Sequence, residues 1–180
     1  MPTLQDHFRA MARNNLWSNY RLHTACAQLP EAEYHRDRGA FFGSIHRTLN
    51  HILLIDRYYV AALVGGLPDA RQLDRELYPD LTQLTHAQEA CDRGLIKYCD
   101  ALKADGLDTV AHWTDTDGDS CADPVHVILA HLFLHQIHHR GQVHDMLSGA
   151  GIKPPQLDEF LLSHDAPLRE HEVRALRLLD

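Results

Sequence analysis

Apolar residues recur at helical spacing along four long stretches of the chain, and Gly, Pro or polar runs separate them. From about Leu4 to Leu29 neither Gly nor Pro intervenes, which predicts a first helix stopped by Pro30. "EAEYHRDRGAFFG" then reads as a connector with a charged middle and an apolar end. A second helix starts at Ser44, an N-cap residue type, and runs through "IHRTLNHILLIDRYYVAALV" to the stop "GGLP". A polar connection containing "LYPDLTQL" leads to a third helix over about Leu81 to Ala104, with Gly94 in its middle. "GLDTVAHWTDTDGDSCADP" breaks the helical period, and its Asp117-Gly118 pair predicts a small hairpin. The fourth helix begins at Asp123-Pro124, with Asp as N-cap and Pro in the first turn, and ends near "SGAG". A tail, "IKPPQLDEFLL", leads to a last helical piece, "APLREHEVRALRLL". Four long helices, one hairpin and a short C-terminal helix predict an all-α four-helix bundle, as a single domain over residues 1–180.

Composition narrows the partners. A formal net charge of −8 with no basic cluster argues against a nucleic-acid binder, since phosphate contacts need a surplus of Lys and Arg. The N-terminus carries no apolar core of signal-peptide length, and no run approaches a membrane span, so no membrane partner is expected. Cys26, Cys91, Cys99 and Cys121 show no close CxxC spacing, which predicts free, mostly buried thiols and a cytoplasmic location.

The chemistry-bearing feature is "HLFLHQIHHRGQVH", which holds His131, His135, His138, His139 and His144. Projected at about 100° per residue, Val125, Ile128, Leu129, Leu132, Val143, Met146 and Leu147 form one apolar arc. His139 falls inside that arc and His135 at its edge, one turn apart; His131 and His138 lie further round and His144 points away. Two imidazoles at i and i+4 need further ligands from a facing helix, and the second helix offers His46 and His51, between which periodicity does not choose. A third His would leave an open coordination position, as catalytic zinc sites do. Gln136 stands where the HExxH motif needs Glu, and no Glu-x-x-His pair exists for a ferritin-like di-iron site. Asp56 lies within the apolar arc of the second helix, where it either orients a ligand His or, more in keeping with its angular offset from His51, ties the second helix to the first. Gln142 is placed to bond a metal-bound water or substrate, or to be an ordinary polar helix residue. Gly141 suggests a close neighbour, His138 and Arg140 a surface or subunit contact, and Trp17, Tyr20, Tyr58 and Tyr59 core or pocket wall.

"LWSNYRL", "GAFFGSIHRTLNHILLIDR", "HLFLHQIHHRGQ" and "PPQLDEFL", in that order, resemble the DinB/YfiT-like family over most of the chain. The resemblance implies an up-down four-helix bundle holding a divalent metal on three histidines. One comes from the TLNH segment and two from HxxxH; carried over by motif, they are His51, His135 and His139. Histidine-only ligation suits Zn²⁺, with Ni²⁺ or Fe²⁺ as alternatives. The family's name refers to DNA-damage induction and implies no contact with DNA.

Relatives in the wider superfamily imply a metal-dependent thiol S-transferase acting on electrophilic or toxic small molecules with a low-molecular-weight thiol. The competing readings are a non-catalytic metal-binding stress-response protein and a metal-dependent hydrolase, for which no general base is identifiable in the sequence. The resemblance also implies a homodimer. No catalytic residue beyond the ligands is assigned, and the substrate is not encoded in any recognisable motif.

Overall fold

The computed structural model describes residues 2–66, 68, 70, 78–115 and 117–178. Helix α1 (Leu4–Cys26) opens on a capping box: the Thr3 hydroxyl accepts the Asp6 N–H at 3.2 Å, and the Asp6 carboxylate accepts the Thr3 N–H at 2.9 Å. It ends three residues short of the predicted Leu29. Gln28 and Leu29 close tight turns onto the carbonyls of Ala25 and Cys26, because Pro30 disfavours a helical conformation at Leu29. The predicted connector contains a single helical turn and a half, α2 (Glu31–His35), started by Pro30 with Glu31 and Glu33 at its positive end.

Helix α3 (Ile45–Leu63) starts as predicted, with the Ser44 hydroxyl accepting the Arg47 N–H at 3.2 Å. It stops at Val64, followed by Gly65 at φ +79°, where a side chain would be strained. Much of the polar connection predicted after it, residues 71–77 included, lies outside the described residues. Helix α4 (Leu81–Ala101) is capped by Asp80, which accepts the Gln83 N–H at 2.8 Å. It is shorter than the predicted Ala104 boundary because Leu102 turns extended and buries its side chain, leaving Ala104–Gly106 as a separate 3₁₀ turn.

The predicted hairpin is present: β1 (Val110–Thr114) pairs antiparallel with β2 (Ser120–Pro124), and Gly118 takes φ +91° in the turn. Its consequence for the next helix differs from expectation. Asp123 is a strand residue opposite Ala111 and accepts the Trp113 indole N–H at 3.2 Å, so it does not cap. Helix α5 (Val125–Gly149) instead satisfies its first N–H groups on the Thr109 and Leu107 carbonyls, at 2.9 and 3.1 Å. The last helix, α6 (Ala166–Ala175), is also shorter than predicted. The chain turns at Arg177 (φ +53°), and the Leu178 N–H closes onto the Val173 carbonyl at 3.0 Å; residues 179 and 180 lie outside the described set.

Helix α1 packs against α4 and α5, and α3 packs against the same two. Every residue of the predicted apolar arc of α5 is 5% exposed or less, which supports that projection. Each of its large aliphatic side chains contributes about 1.5–3 kcal/mol by burial. Two apolar clusters fill the interior. One joins Phe8 and Ala12 to Leu63, Leu95, Leu129 and Leu132; the other joins Leu22 to Ile45, Leu49, Leu53, Leu84, Val143 and Leu147. Reading each helix from one cluster to the other, α1 and α5 run one way and α3 and α4 the opposite way. The strict up-down alternation expected from the family resemblance therefore does not hold. The reason is the long α3–α4 connection: residues 64–80 can reach ~55 Å when extended, ample to return along a 19-residue helix.

Between the two apolar clusters every long helix contributes polar residues, and these close into a ring. Arg140 of α5 donates to Asn15 Oδ1, and at 3.1 Å to both Asn19 Oδ1 and Gln136 Oε1. Asn15 and Asn19 of α1 donate to Asp92 Oδ1 and Oδ2 of α4 at 3.0 and 2.9 Å. Gln88 Nε2 bridges Asp92 Oδ1 at 3.0 Å and Asp56 Oδ2 of α3 at 2.7 Å, and Gln136 Nε2 also donates to Asp56 Oδ2. All seven side chains are buried. Two expectations are corrected here. Arg140 is 3% exposed rather than at the surface, and Asp56 ties α3 to α4 and α5 rather than to α1. Arg140 is buried because Asp92 offers it a counter-charge and three amide oxygens take its protons.

His23 of α1 is buried nearby and held neutral, its pKa pulled down to about 4 by burial and then by Arg140. The unfolded chain binds that proton more tightly, near 6.5, so His23 contributes stability in full above pH 6.5 and loses it as pH falls toward 4. The loss amounts to about 3 kcal/mol. Asp92, raised to about 6 chiefly by burial, acts in the opposite sense: its contribution is present in acid and is lost as pH rises through 6. Comparing urea unfolding of wild type and His23→Leu at pH 7 and pH 4.5 separates the two. The wild type is expected to lose more stability on acidification than the variant, and equal losses would contradict the assignment.

Candidate metal centre

Helices α3 and α5 run antiparallel and in contact, so the TLNH end of α3 faces the middle of α5. His51 projects from α3; His135 and His139 project from successive turns of α5. Their ring centroids lie 4.3 to 5.0 Å apart, and one donor nitrogen from each falls within 4.8 Å of the others. His51 Nε2 and His135 Nε2 stand 3.0 Å apart. Three nitrogens bound tetrahedrally at zinc–nitrogen distances would lie ~3.4 Å apart, so the existing spacing needs only small side-chain adjustment. The cluster can hold a metal ion.

The electrostatics suit ligation. His135 is pulled down to about 3 by burial, and further by the neighbouring His139 and His51. His139 is lowered by burial as well, against the opposing effect of its own hydrogen bond to the Gln142 amide oxygen. Neutral imidazoles result, which is the form that offers a lone pair to a cation. Gln142 Oε1 lies 2.8 Å from His139 Nδ1 and, as an acceptor, places the proton there and leaves Nε2 bare. Its place is thus behind a candidate ligand, one of the two roles its spacing did not separate from being ordinary packing. His135 Nδ1 is buried and has no hydrogen-bond partner among the described residues.

An apolar shell surrounds the three rings. Phe42 packs at 4.1 Å from the His51 ring and 5.4 Å from His139, while Phe41 beside it is 82% exposed. On the other side His131 stacks 6.4 Å from His135 and meets Tyr59 at 5.2 Å, with Trp113 of the hairpin against Tyr59 at 5.9 Å. Phe42 has no periodic signature in the sequence, because it lies in the α2–α3 connector; its adjacency to Ser44, the cap of the ligand-bearing helix, was the available clue.

The other histidines fall elsewhere. His46 is buried, hydrogen-bonded through Nε2 to the Tyr78 carbonyl at 3.0 Å and packed on His35 and Tyr34, so the fold separates it from the cluster. His138 and His131 are exposed, and half-buried His144 bonds the Pro155 carbonyl at 3.1 Å. A Cβ at Gly141 would meet nothing within 4 Å, so no close intramolecular neighbour explains that glycine among the described residues. Trp17 and Tyr58 are core, Tyr59 is wall, and Tyr20 is 40% exposed, outside both roles. Of the four free cysteines, Cys26 and Cys99 are buried and Cys91 and Cys121 half-buried.

Removing the group behind His139 has a defined expected effect. Gln142→Ala should weaken divalent-metal binding ~10-fold, the lower end for an outer hydrogen-bond partner, without lowering the unfolding midpoint of the metal-free protein. Isothermal titration with Zn²⁺ checks it; an unchanged affinity would remove Gln142 from the site.

Comparison with known proteins agrees with this construction. The DinB family matches over residues 1–172. "Protein DinB" of Bacillus subtilis (strain 168) is 27% identical over 142 residues, covering 76% of this chain and 82% of the relative. The crystal structure of a DinB-like protein from Bacillus cereus ATCC 10987 superposes with a TM-score of 0.58 at 15% identity, covering 78% of this chain and 90% of that one, which shows a shared fold. The largely helical fold, the facing histidines of α3 and α5 and the match across nearly the whole length place this chain in the DinB family.

Proposed function

We propose that this protein is a metal-dependent enzyme, with His51, His135 and His139 as the ligands of one divalent ion, zinc foremost and nickel or iron as alternatives. The observation that carries the reading is the convergence of three imidazoles from two antiparallel helices, two of them held neutral by burial. A metal held there would act as a Lewis acid that lowers the pKa of a bound thiol or water. Three neutral ligands leave the ion its full charge, which favours an anionic fourth ligand such as a thiolate. Among the described residues the cluster contains no carboxylate to serve as a general base, so a thiol, already acidic enough to ionise on the metal, suits it better than water. We therefore read the reaction as transfer of a low-molecular-weight thiol to an electrophilic small molecule. Within the chain, Gln142 orients His139, and Phe42 shields two of the imidazoles from solvent.

The setting we propose is a cytoplasmic, single-domain stress-response protein whose four long helices form the family's bundle. No helix among the described residues is long and apolar enough to cross a membrane, which supports the absence of a spanning segment. A homodimer is supported by the outer face of α5, where Val127, Leu134 and Ile137 are 42, 66 and 51% exposed and no charged residue intervenes.

The test is turnover of a generic electrophile by the zinc-loaded protein with a panel of small thiols, wild type against His51→Ala. Thiol-dependent turnover in the wild type alone supports the reading. Turnover that persists after His51→Ala counts against metal-activated thiol chemistry. No thiol dependence, with hydrolysis of activated esters instead, favours the hydrolase, and metal binding without either activity favours a non-catalytic role.

A further inference from the structure

Within the buried ring two acceptors lack a donor among the described residues: Asp56 Oδ1 and Gln88 Oε1. The orientation of the Gln88 amide is fixed, because its nitrogen spans two carboxylates, Asp56 Oδ2 at 2.7 Å and Asp92 Oδ1 at 3.0 Å, and a flipped amide would place three oxygens together. Both amide protons are thus engaged and the amide oxygen is left over. A cavity of about 20 Å³, room for one water, borders Gln88, Asp92, Asn19 and His23 but not Asp56. Water there can serve Gln88 and leaves Asp56 Oδ1 unrelieved. An unpartnered, charged carboxylate oxygen in a dry interior is the least favourable state of this group.

We infer that Asp56 is a carboxylic acid in the folded protein at neutral pH, with its proton on Oδ1 and Gln88 Oε1 as the acceptor, so that folding of the four helices takes up one proton. The pair then matches a cyclic acid–amide contact: Gln88 Nε2 donates to Asp56 Oδ2, and Asp56 Oδ1 donates back. The charges around it agree. From α4, Asp92 faces the ring as its anion, beside the half-buried Cys91 thiol; from α5, Arg140 is the cation; α1 contributes uncharged Asn15 and Asn19, with neutral His23 behind Arg140; on α3 itself, Arg57 is close enough to act on Cys91. One cation balances one anion, and a second ionised carboxylate would leave an uncompensated charge inside the protein. Burial and then the Asp92 charge push Asp56 in that direction. The ring's neutrality matters for α5, since its members Gln136 and Arg140 flank His135 and His139 and fix the rotation of that helix.

The sign of the pH dependence follows. A carboxyl whose folded pKa is raised contributes stability in acid and loses it as pH rises through the folded value, so the folding equilibrium should fall about tenfold per pH unit while the folded protein keeps a proton that the unfolded chain has released. Infrared spectra of the wild type, Asp56→Asn and Asp92→Asn at pH 8, where Asp92 is ionised, provide the direct test. A protonated-carboxyl C=O band is expected in the wild type and is expected to be missing from Asp56→Asn; in Asp92→Asn, where Arg140 loses its anion, the band is expected to weaken as Asp56 ionises. Asn mimics the neutral acid, so Asp56→Asn should fold at least as stably as wild type at pH 8, while Asp92→Asn loses stability. No such band in the wild type, or a band that survives in Asp56→Asn, overturns the inference. Should Asp56→Asn not fold, the wild-type band and the alkaline slope of wild-type stability still decide.

Discussion

Untagged His135→Ala protein is expected to emerge from purification without metal, while the wild type carries about one divalent ion per chain, the stoichiometry of a single three-histidine site. The loss should exceed the roughly 10–100-fold of an outer-partner substitution, because the three imidazoles form a near-equilateral triangle and removing His135 leaves only a pair. Metal that binds only the folded state also stabilises it, by about 2.7 kcal/mol at a hundredfold excess over the dissociation constant. That metal-induced rise in the unfolding midpoint should vanish in His135→Ala. The metal-free variant should stay within about 1–2 kcal/mol of wild type, since His135 Nδ1 has no partner among the described residues and the ring's hydrogen bond is the single one from Nε2 to His51 Nε2. Elemental analysis and thermal unfolding with and without Zn²⁺ read both effects. Equal metal content in the two proteins, or a midpoint shift that survives the substitution, would remove the site.

The largest effect on stability is expected at Arg140, far from any surface. Arg140→Met preserves much of the aliphatic volume but removes the ring's only cation, so the buried Asp92 carboxylate loses its counter-charge and three amide oxygens lose their donor. Breaking a buried pair from one side costs about 3–5 kcal/mol. Removing the remaining charge as well should recover part of this: Arg140→Met/Asp92→Asn is expected to be more stable than Arg140→Met alone. Urea unfolding of the two singles and the double measures the coupling. A loss under 1 kcal/mol in Arg140→Met, or purely additive singles, would show that the ring is not a coupled unit.

How much of this was legible in the residues can be judged element by element. The positions of α3 and α4 were readable because Ser44 and Asp80, or the apolar period beginning beside them, mark starts that depend only on nearby backbone. The ends of α1, α4 and α6 were misjudged by three or four residues, because each stops where the chain turns to bury a side chain or avoid a proline, and a periodic pattern carries no such information. Asp123 looked like a cap from its own chemistry, and the hairpin claimed it first. The facing pair His135 and His139 followed from the arc of α5. The choice of His51 over His46 required either the family pattern or the fold, which sends His46 to the Tyr78 carbonyl.

The polar ring is where sequence reading fell furthest short. Asn15, Asn19, Gln88, Asp92, Gln136 and Arg140 each look like ordinary helix residues, and a charged or amide side chain is placed outside by default because burial alone is costly; of the seven, Asp56 stood out by falling within an apolar arc. Sequence by itself determined what local physics controls: helix and hairpin positions, the apolar face of α5, and a histidine pair one turn apart. Only the tertiary structure decided the relative directions of the helices and which third histidine meets the pair. It also decided that seven polar side chains, each too expensive to bury singly, become stable inside once four helices bring their donors and acceptors together.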